Sequence, residues 1–217
     1  MTLSEENYLK TIYHLITANK TEVSTNSIAE KMETKASSVT DMLKKLAEKE
    51  LVNYKKYQGV SLTEKGSLSA KMIVRKHRLW EVFLVEKLQF NWDEVHEIAE
   101  ELEHIKSETL IDRLDVFLGN PTEDPHGDPI PDAKGNITKT EKLLLSDFKP
   151  KESGICVGVK DTSPQFLQYL DKHEIALGSQ IKIISKEDFD HSTTMEVANK
   201  TLVISNKVAM NLFLKKL

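Results

Sequence analysis

Residues 36–63, ASSVTDMLKKLAEKELVNYKKYQGVSLT, decide the fold. Val39, Met42, Leu43 and Leu46 recur at three- and four-residue steps, the spacing of one helix face, while Ser37, Ser38, Thr40, Asp41, Lys44 and Lys45 point away from it. Leu51-Val52-Asn53-Tyr54-Lys55-Lys56-Tyr57 then runs to a turn at Gln58-Gly59, and Val60-Ser61-Leu62-Thr63 returns as the second arm of a hairpin. Just upstream, residues 25–32 (TNSIAEKM) read as a short helix with polar caps at its start, separated by a break at Glu33-Thr34-Lys35. Two short helices about a tight break, the second polar and basic on its outer face, followed by a small hairpin with lysines near its tip, predict a winged helix-turn-helix. Residues 4–17 supply a supporting helix. Tyr8, Leu9, Ile12, Leu15 and Ile16 form its apolar face, and Ser4 is placed to cap it.

Long helices follow from Lys65, over residues 64–87, about 93–105 and 107–118. The second carries His96, Glu100, Glu103 and His104 at offsets of zero, four, seven and eight, which places them on one stripe of a helix. His77 and Glu81 repeat the four-residue step one helix earlier. Imidazole with carboxylate suits a divalent first-row metal, and no thiolate is spaced to join them. The plain alternative is a solvated helix face. Leu110, Ile111, Leu114, Val116, Phe117 and Leu118 make the third helix too apolar for a surface element, which predicts a dimer face. Gly119-Asn120-Pro121 ends it, and an irregular loop rich in Pro and Gly follows, with His126 next to Asp124 and Asp128. Beyond residue 141, the runs 155–159, 180–184, 194–197 and 201–204 are short β-type segments, with a short helix between the first two. They predict a small SH3-like β-barrel. The fold class is therefore mainly α with a small β part. Three domains are expected: 1–72 for the winged helix-turn-helix, 73–140 for helical dimerisation and metal binding, and 141–217 for the barrel.

Charge is unevenly spread. Residues 1–76 hold 13 Lys and Arg against 9 Asp and Glu, whereas residues 77–136 hold 5 against 15, within an overall charge of −4. A basic first block suits a polyanion and an acidic middle suits cations. Cys156 is the only cysteine, which excludes an internal disulfide and a cysteine-rich zinc site. No run of about 18 apolar residues predicts a membrane span, and the first residues lack the layout of a signal peptide, so a cytoplasmic protein is expected.

The segments YLKTIYHL (8–15), ASSVTDMLKKL (36–46), LTEKG (62–66), RKHRLWEVFLV (75–85), EVHEIAEELEHIKSE (94–108) and RLDVFLGNPTEDPHGDPIP (113–131) together resemble the diphtheria toxin repressor family of metal-activated bacterial repressors. The resemblance extends over essentially the whole chain, including the C-terminal SH3-like (FeoA-like) part. It implies a primary metal site of Asn7, Glu100, Glu103 and His104. It also implies an ancillary site of His77, Glu81 and His96, completed from the SH3-like domain, where Asp161 and Gln165 lie in the matching stretch; Asp124 and His126 of the PHG loop are implied as further ligands. Glu100 stands where iron-responsive members have cysteine and so points to Mn(II), with Fe(II) as the alternative. Asn7 stands where those members have methionine and manganese-responsive members have aspartate, and Lys10 stands where one manganese branch has glutamate. The implied protein is a homodimer that binds palindromic operator DNA when metal is bound and represses genes of metal homeostasis, with no small-molecule substrate and no membrane partner. Ser37, Ser38, Thr40 and Asp41 would meet bases, and Lys35, Lys44, Lys55 and Lys56 would meet phosphates. A metalloenzyme using the Glu/His cluster to activate water is the rival from another class, and no obvious nucleophile or acid–base pair accompanies the cluster.

Overall fold

Thr63 explains why the longest helix starts where it does. Its hydroxyl accepts from the Gly66 N–H at 3.0 Å and donates to the Glu50 carbonyl at 2.7 Å, which caps the helix and ties it to the preceding turn. Gly66 lies so close to the Leu51 carbonyl oxygen that a Cβ there would come within 1.8 Å of it. The LTEKG segment is thus a cap followed by a close approach of backbone to backbone. The computed structural model describes residues 1–19, 23–55, 58–138 and 141–217. Within these the chain divides into two compact units.

The first unit comprises Met1–His77, Glu100–Leu114 and Pro131–Ile137. Helices α1 (Leu3–Asn19), α2 (Thr25–Lys31) and α3 (Ala36–Glu48) precede the antiparallel pair β1 (Val52–Lys55) and β2 (Gly59–Leu62), in which Val52 faces Leu62 and Lys55 faces Gly59. Ser24 caps α2 by accepting the Ser27 N–H, and Glu33, at φ 49, turns the chain toward α3. Leu9, Ile12, Ile28, Val39, Leu43, Leu46, Val52, Val60 and Ile73 form the buried core. This is the winged helix-turn-helix that the periodicity implies. The long helix α4 spans Glu64–Leu88.

The second unit comprises Arg78–Ala99, Asp115–Ile130 and Thr138–Leu217. Helix α5 (Val95–Leu102) starts in this unit, with its residues from Glu100 counted in the first, and α6 (Glu108–Phe117) belongs to this unit only from Asp115. Gly119 and Asn120 close α6 in the left-handed region, with their N–H groups on the Val116 and Asp115 carbonyls. The C-terminal part is an antiparallel sheet of β3 (Leu143–Leu144), β4 (Ser153–Val159), β5 (Gln180–Lys186), β6 (Thr193–Val197), β7 (Lys200–Ile204) and β8 (Leu212–Lys216). Its spatial order is β3-β8-β4-β5-β6-β7. Helix α7 (Pro164–Lys172) packs Leu167 and Leu170 into the core formed by Cys156, Ile181, Ile183, Met195, Val197, Leu212 and Leu214. The single cysteine is therefore core filling.

Three elements differ from the sequence reading. The second middle helix was expected to run to about residue 105. It stops at Leu102, so Glu103 and His104 occupy the turn after it and only His96 and Glu100 lie on the helix itself. The cause is local. The Ile105 N–H bonds three residues back to the Leu102 carbonyl, a tight turn that leaves the α-helical ladder, and the Ser107 hydroxyl, 3.3 Å from the Leu110 N–H, then caps the next helix. Strands β3 and β8 were not anticipated; β8 buries Leu212 and Leu214 and pairs with β4.

Candidate metal centre

In the second unit, Glu81 on α4 meets the 119–130 loop. Asp124 shapes that loop: its Oδ1 accepts the N–H groups of His126 (2.8 Å) and Asp128 (3.0 Å), and its backbone N–H reaches the Asp128 carbonyl. Gly127 follows at φ 79, where a Cβ would lie 2.0 Å from the Val157 carbonyl oxygen. The Val159 N–H bonds to the His126 carbonyl, which anchors the loop on β4. The PHG segment is therefore a tight turn pressed onto the sheet.

His126 is held from two sides. Its ring stacks on Trp92, with centroids 6.2 Å apart and planes 8° from parallel, and Nε2 lies 2.8 Å from the Trp92 carbonyl. A carbonyl only accepts, so Nε2 carries the proton and Nδ1 is turned to Glu81 Oε2 at 3.6 Å. This is how proteins orient a ligating imidazole. Trp92 is itself fixed by Asp171, which accepts its indole N–H at 3.1 Å. Glu81, Asp124 and His126 are all buried, and one ligand atom of each lies within 4.8 Å of the others. His96 Nδ1 reaches Glu81 Oε1 at 3.4 Å from the exposed rim.

The electrostatics ask for a cation. Burial, Glu81 and Asp128 push Asp124 up to about 7, against the pull of Arg78 and His126. Burial alone would lower His126, but the hydrogen bond and charge of Glu81, with Asp124, push it up to about 9. Arg78 bridges Asp124 and Asp128 at 3.3 Å each. Two buried carboxylates and a pre-oriented imidazole fit a divalent first-row ion. Asp161, whose Oδ1 accepts the Ser163 N–H, and Gln165, exposed in the first turn of α7, stand outside this cluster.

In the first unit, Glu103 is fully buried. Its Oε2 lies 2.7 Å from both Lys10 Nζ and His77 Nδ1, and Lys10 also reaches Glu100 Oε1 at 3.2 Å. Burial would raise Glu103, yet the His77 hydrogen bond and the Lys10 charge outweigh it and hold the carboxyl below its usual range. Among the described residues Glu103 Oε1 has no hydrogen-bond partner, and His104 Nε2 is 3.9 Å away. The other nitrogen of His104 pairs with Glu6 Oε2 at 2.6 Å. Asn7 is half-buried, and among the described residues its side chain forms no hydrogen bond. The sequence reading missed Glu6 as a partner of His104. The available signal was its place four residues before Lys10, on the same face of α1. With an ammonium on both carboxylates and a neutral amide as the implied fourth ligand, this set does not fit a resident dication.

On α3, Ser37, Ser38, Asp41 and Lys44 are exposed, and Lys44 and Asp41 pair at 3.1 Å. Thr40 donates to the Ala36 carbonyl, Lys35 precedes the first turn, and Lys55 is exposed at the end of β1. Lys56 lies outside the described residues.

Three domain models match in the order of this architecture. They are the iron dependent repressor N-terminal DNA binding domain over residues 1–60, the iron dependent repressor metal binding and dimerisation domain over 63–132, and the FeoA domain over 143–216. A solved manganese-dependent transcriptional repressor in complex with manganese is 34% identical, covers 98% of this chain and 100% of its own, and superposes with a TM-score of 0.86. The chain belongs to the diphtheria toxin repressor family. Among curated relatives of this family member, the iron-dependent repressor IdeR of Mycobacterium tuberculosis is 37% identical over 126 residues, 58% of this chain and 54% of that protein. The transcriptional regulator MntR of Oceanobacillus iheyensis is 37% identical over 113 residues, 52% of this chain and 76% of that protein. Members of this family are DNA-binding transcriptional repressors, which removes the metalloenzyme alternative. No helix among the described residues is long and apolar enough to cross a membrane.

Proposed function

We propose that this chain is a cytoplasmic, homodimeric repressor that binds palindromic operator DNA when Mn(II) occupies the Glu81, Asp124 and His126 cluster. The observation that carries the reading is that buried, pre-oriented donor set in a chain whose first unit is a winged helix-turn-helix. The donors include two carboxylates and no sulfur, which favours Mn(II) over softer ions, and Cys156 is committed to the β core. His96 lies at the rim as a further donor, and Asp161 follows closely the strand that anchors the loop.

The bound ion would add positive charge to a cluster in which Arg78 already pairs with Asp124, and would take the place of the proton that Glu81 favours on His126. The chain's own part is to fix the donors. Trp92 orients His126, Arg78 holds Asp124, and Gly127 lets the loop close on Val157. Tying Glu81 to this loop would order the segment that directly follows exposed Val116 and Phe117, the apolar face suited to dimerisation. A dimer of fixed geometry presents two α3 helices about one turn of DNA apart, roughly 34 Å.

Random-sequence duplexes selected by the full chain in Mn(II) should converge on an inverted repeat and be released by EDTA. Retention in excess EDTA would sink the reading. Glu81→Gln and His126→Ala should each weaken Mn(II) binding by about tenfold or more in calorimetry, the usual cost of losing a ligand or its support.

A further inference from the structure

Glu6 and Lys10 share one face of α1, and that face makes two polar contacts with the turn after α5: an ion pair of Lys10 with Glu103 and a hydrogen bond between Glu6 and His104. We propose that Lys10 is the resident cation of this junction, so that α1 is latched to Glu100 and Glu103 without a metal ion. The proposal rests on the function above only in leaving Glu81, Asp124 and His126 as the metal centre.

The charges support it. Glu103 has no exposed surface, and a buried carboxylate needs a paired charge or donor. Lys10, itself only 12% exposed, supplies one at 2.7 Å and extends to Glu100, while His77 takes the same Glu103 oxygen. Lys76 is a second amine facing this junction: burial lowers its pKa, against the opposing pull of Glu6, Glu103 and Glu108. A dication entering here would sit beside the Lys10 ammonium, and Asn7 brings no negative charge to offset it. Glu103 Oε1, unpartnered and 3.9 Å from His104 Nε2, marks where a metal could enter once Lys10 is gone.

Hydrogen exchange on the full chain tests the latch. In EDTA, the α1 amides of the wild type should be as protected as they are in Mn(II). Lys10→Met should speed their exchange in EDTA by about tenfold or more, and Lys10→Arg should restore protection. If Lys10→Met does not fold, Glu103→Gln in the same assay should loosen α1. Equilibrium dialysis adds a second readout: the wild type should bind one Mn(II) per chain, and Asn7→Asp with Lys10→Met should bind two. Wild-type α1 amides that become protected only when Mn(II) is added would overturn the proposal. So would two Mn(II) per wild-type chain with one lost in Glu103→Gln. Protection in EDTA from a chain that binds no Mn(II) would support the latch while overturning the metal-centre reading.

Discussion

At the scale of single residues, Gly127 carries a demand that no other residue type meets. It sits at φ 79 with the Val157 carbonyl where a side chain would begin. Gly127→Ala should therefore cost roughly 2 kcal/mol or more in denaturant unfolding, from overpacking and backbone strain together. It should also weaken Mn(II) binding, since the same turn aims His126. Cys156 gives a prediction with a definite sign. Burial pushes its thiol up to about 11. At pH 8 only roughly a thousandth is thiolate, so alkylation of the native protein should be slow and should speed up sharply in denaturant. Mass spectrometry of iodoacetamide-treated protein checks this, and fast native labelling would contradict it. Residue types were legible in the sequence where chemistry needs them: His126, Asp124 and Glu81 are unusual enough to single out. What one residue does to another was not. Glu6 reaching His104, and Lys10 reaching Glu103, are contacts across more than 90 positions that no periodicity encodes.

At the scale of elements, the recognition helix and hairpin were legible because period and turn chemistry agree over residues 36–63. The end of α5 was not, because the apolar spacing runs on past Leu102 while the Ser107 cap has already begun the next helix. Strand β8 was hidden for another reason. Its alternation of Leu212 and Leu214 is short and runs into Lys215 and Lys216, and pairing with β4 fixes it from a distance. The exposed lysines of α3 and the hairpin lead to a test at this scale. Lys44→Ala and Lys55→Ala should each weaken binding to selected duplexes uniformly across sequences. Each should also lower the slope of log affinity against log salt by about one, the signature of a lost phosphate contact. An unchanged slope would place these side chains away from the backbone of DNA.

At the scale of the whole molecule, the acidic stretch 77–136 supplies the carboxylates of both clusters apart from Glu6, while the basic stretch 1–76 contains the winged helix-turn-helix. Phe117 is 64% exposed, beside Val116 at 69%, large apolar side chains that a lone subunit gains nothing by showing to water. Phe117→Asp should shift the mass seen in sedimentation at micromolar concentration from dimer to monomer, with the circular dichroism spectrum unchanged. A dimer that survives the change would assign the face to another role. The chain has two tryptophans, and one of them, Trp92, lies flat against His126. An imidazolium pressed on an indole face takes up excited-state energy, and a paramagnetic ion at Nδ1 would do so differently. The protein thus carries its own optical gauge: ultraviolet emission, read without any label, should follow metal occupancy, and the change should shrink in Trp92→Phe to what Trp80, next to Glu81, reports.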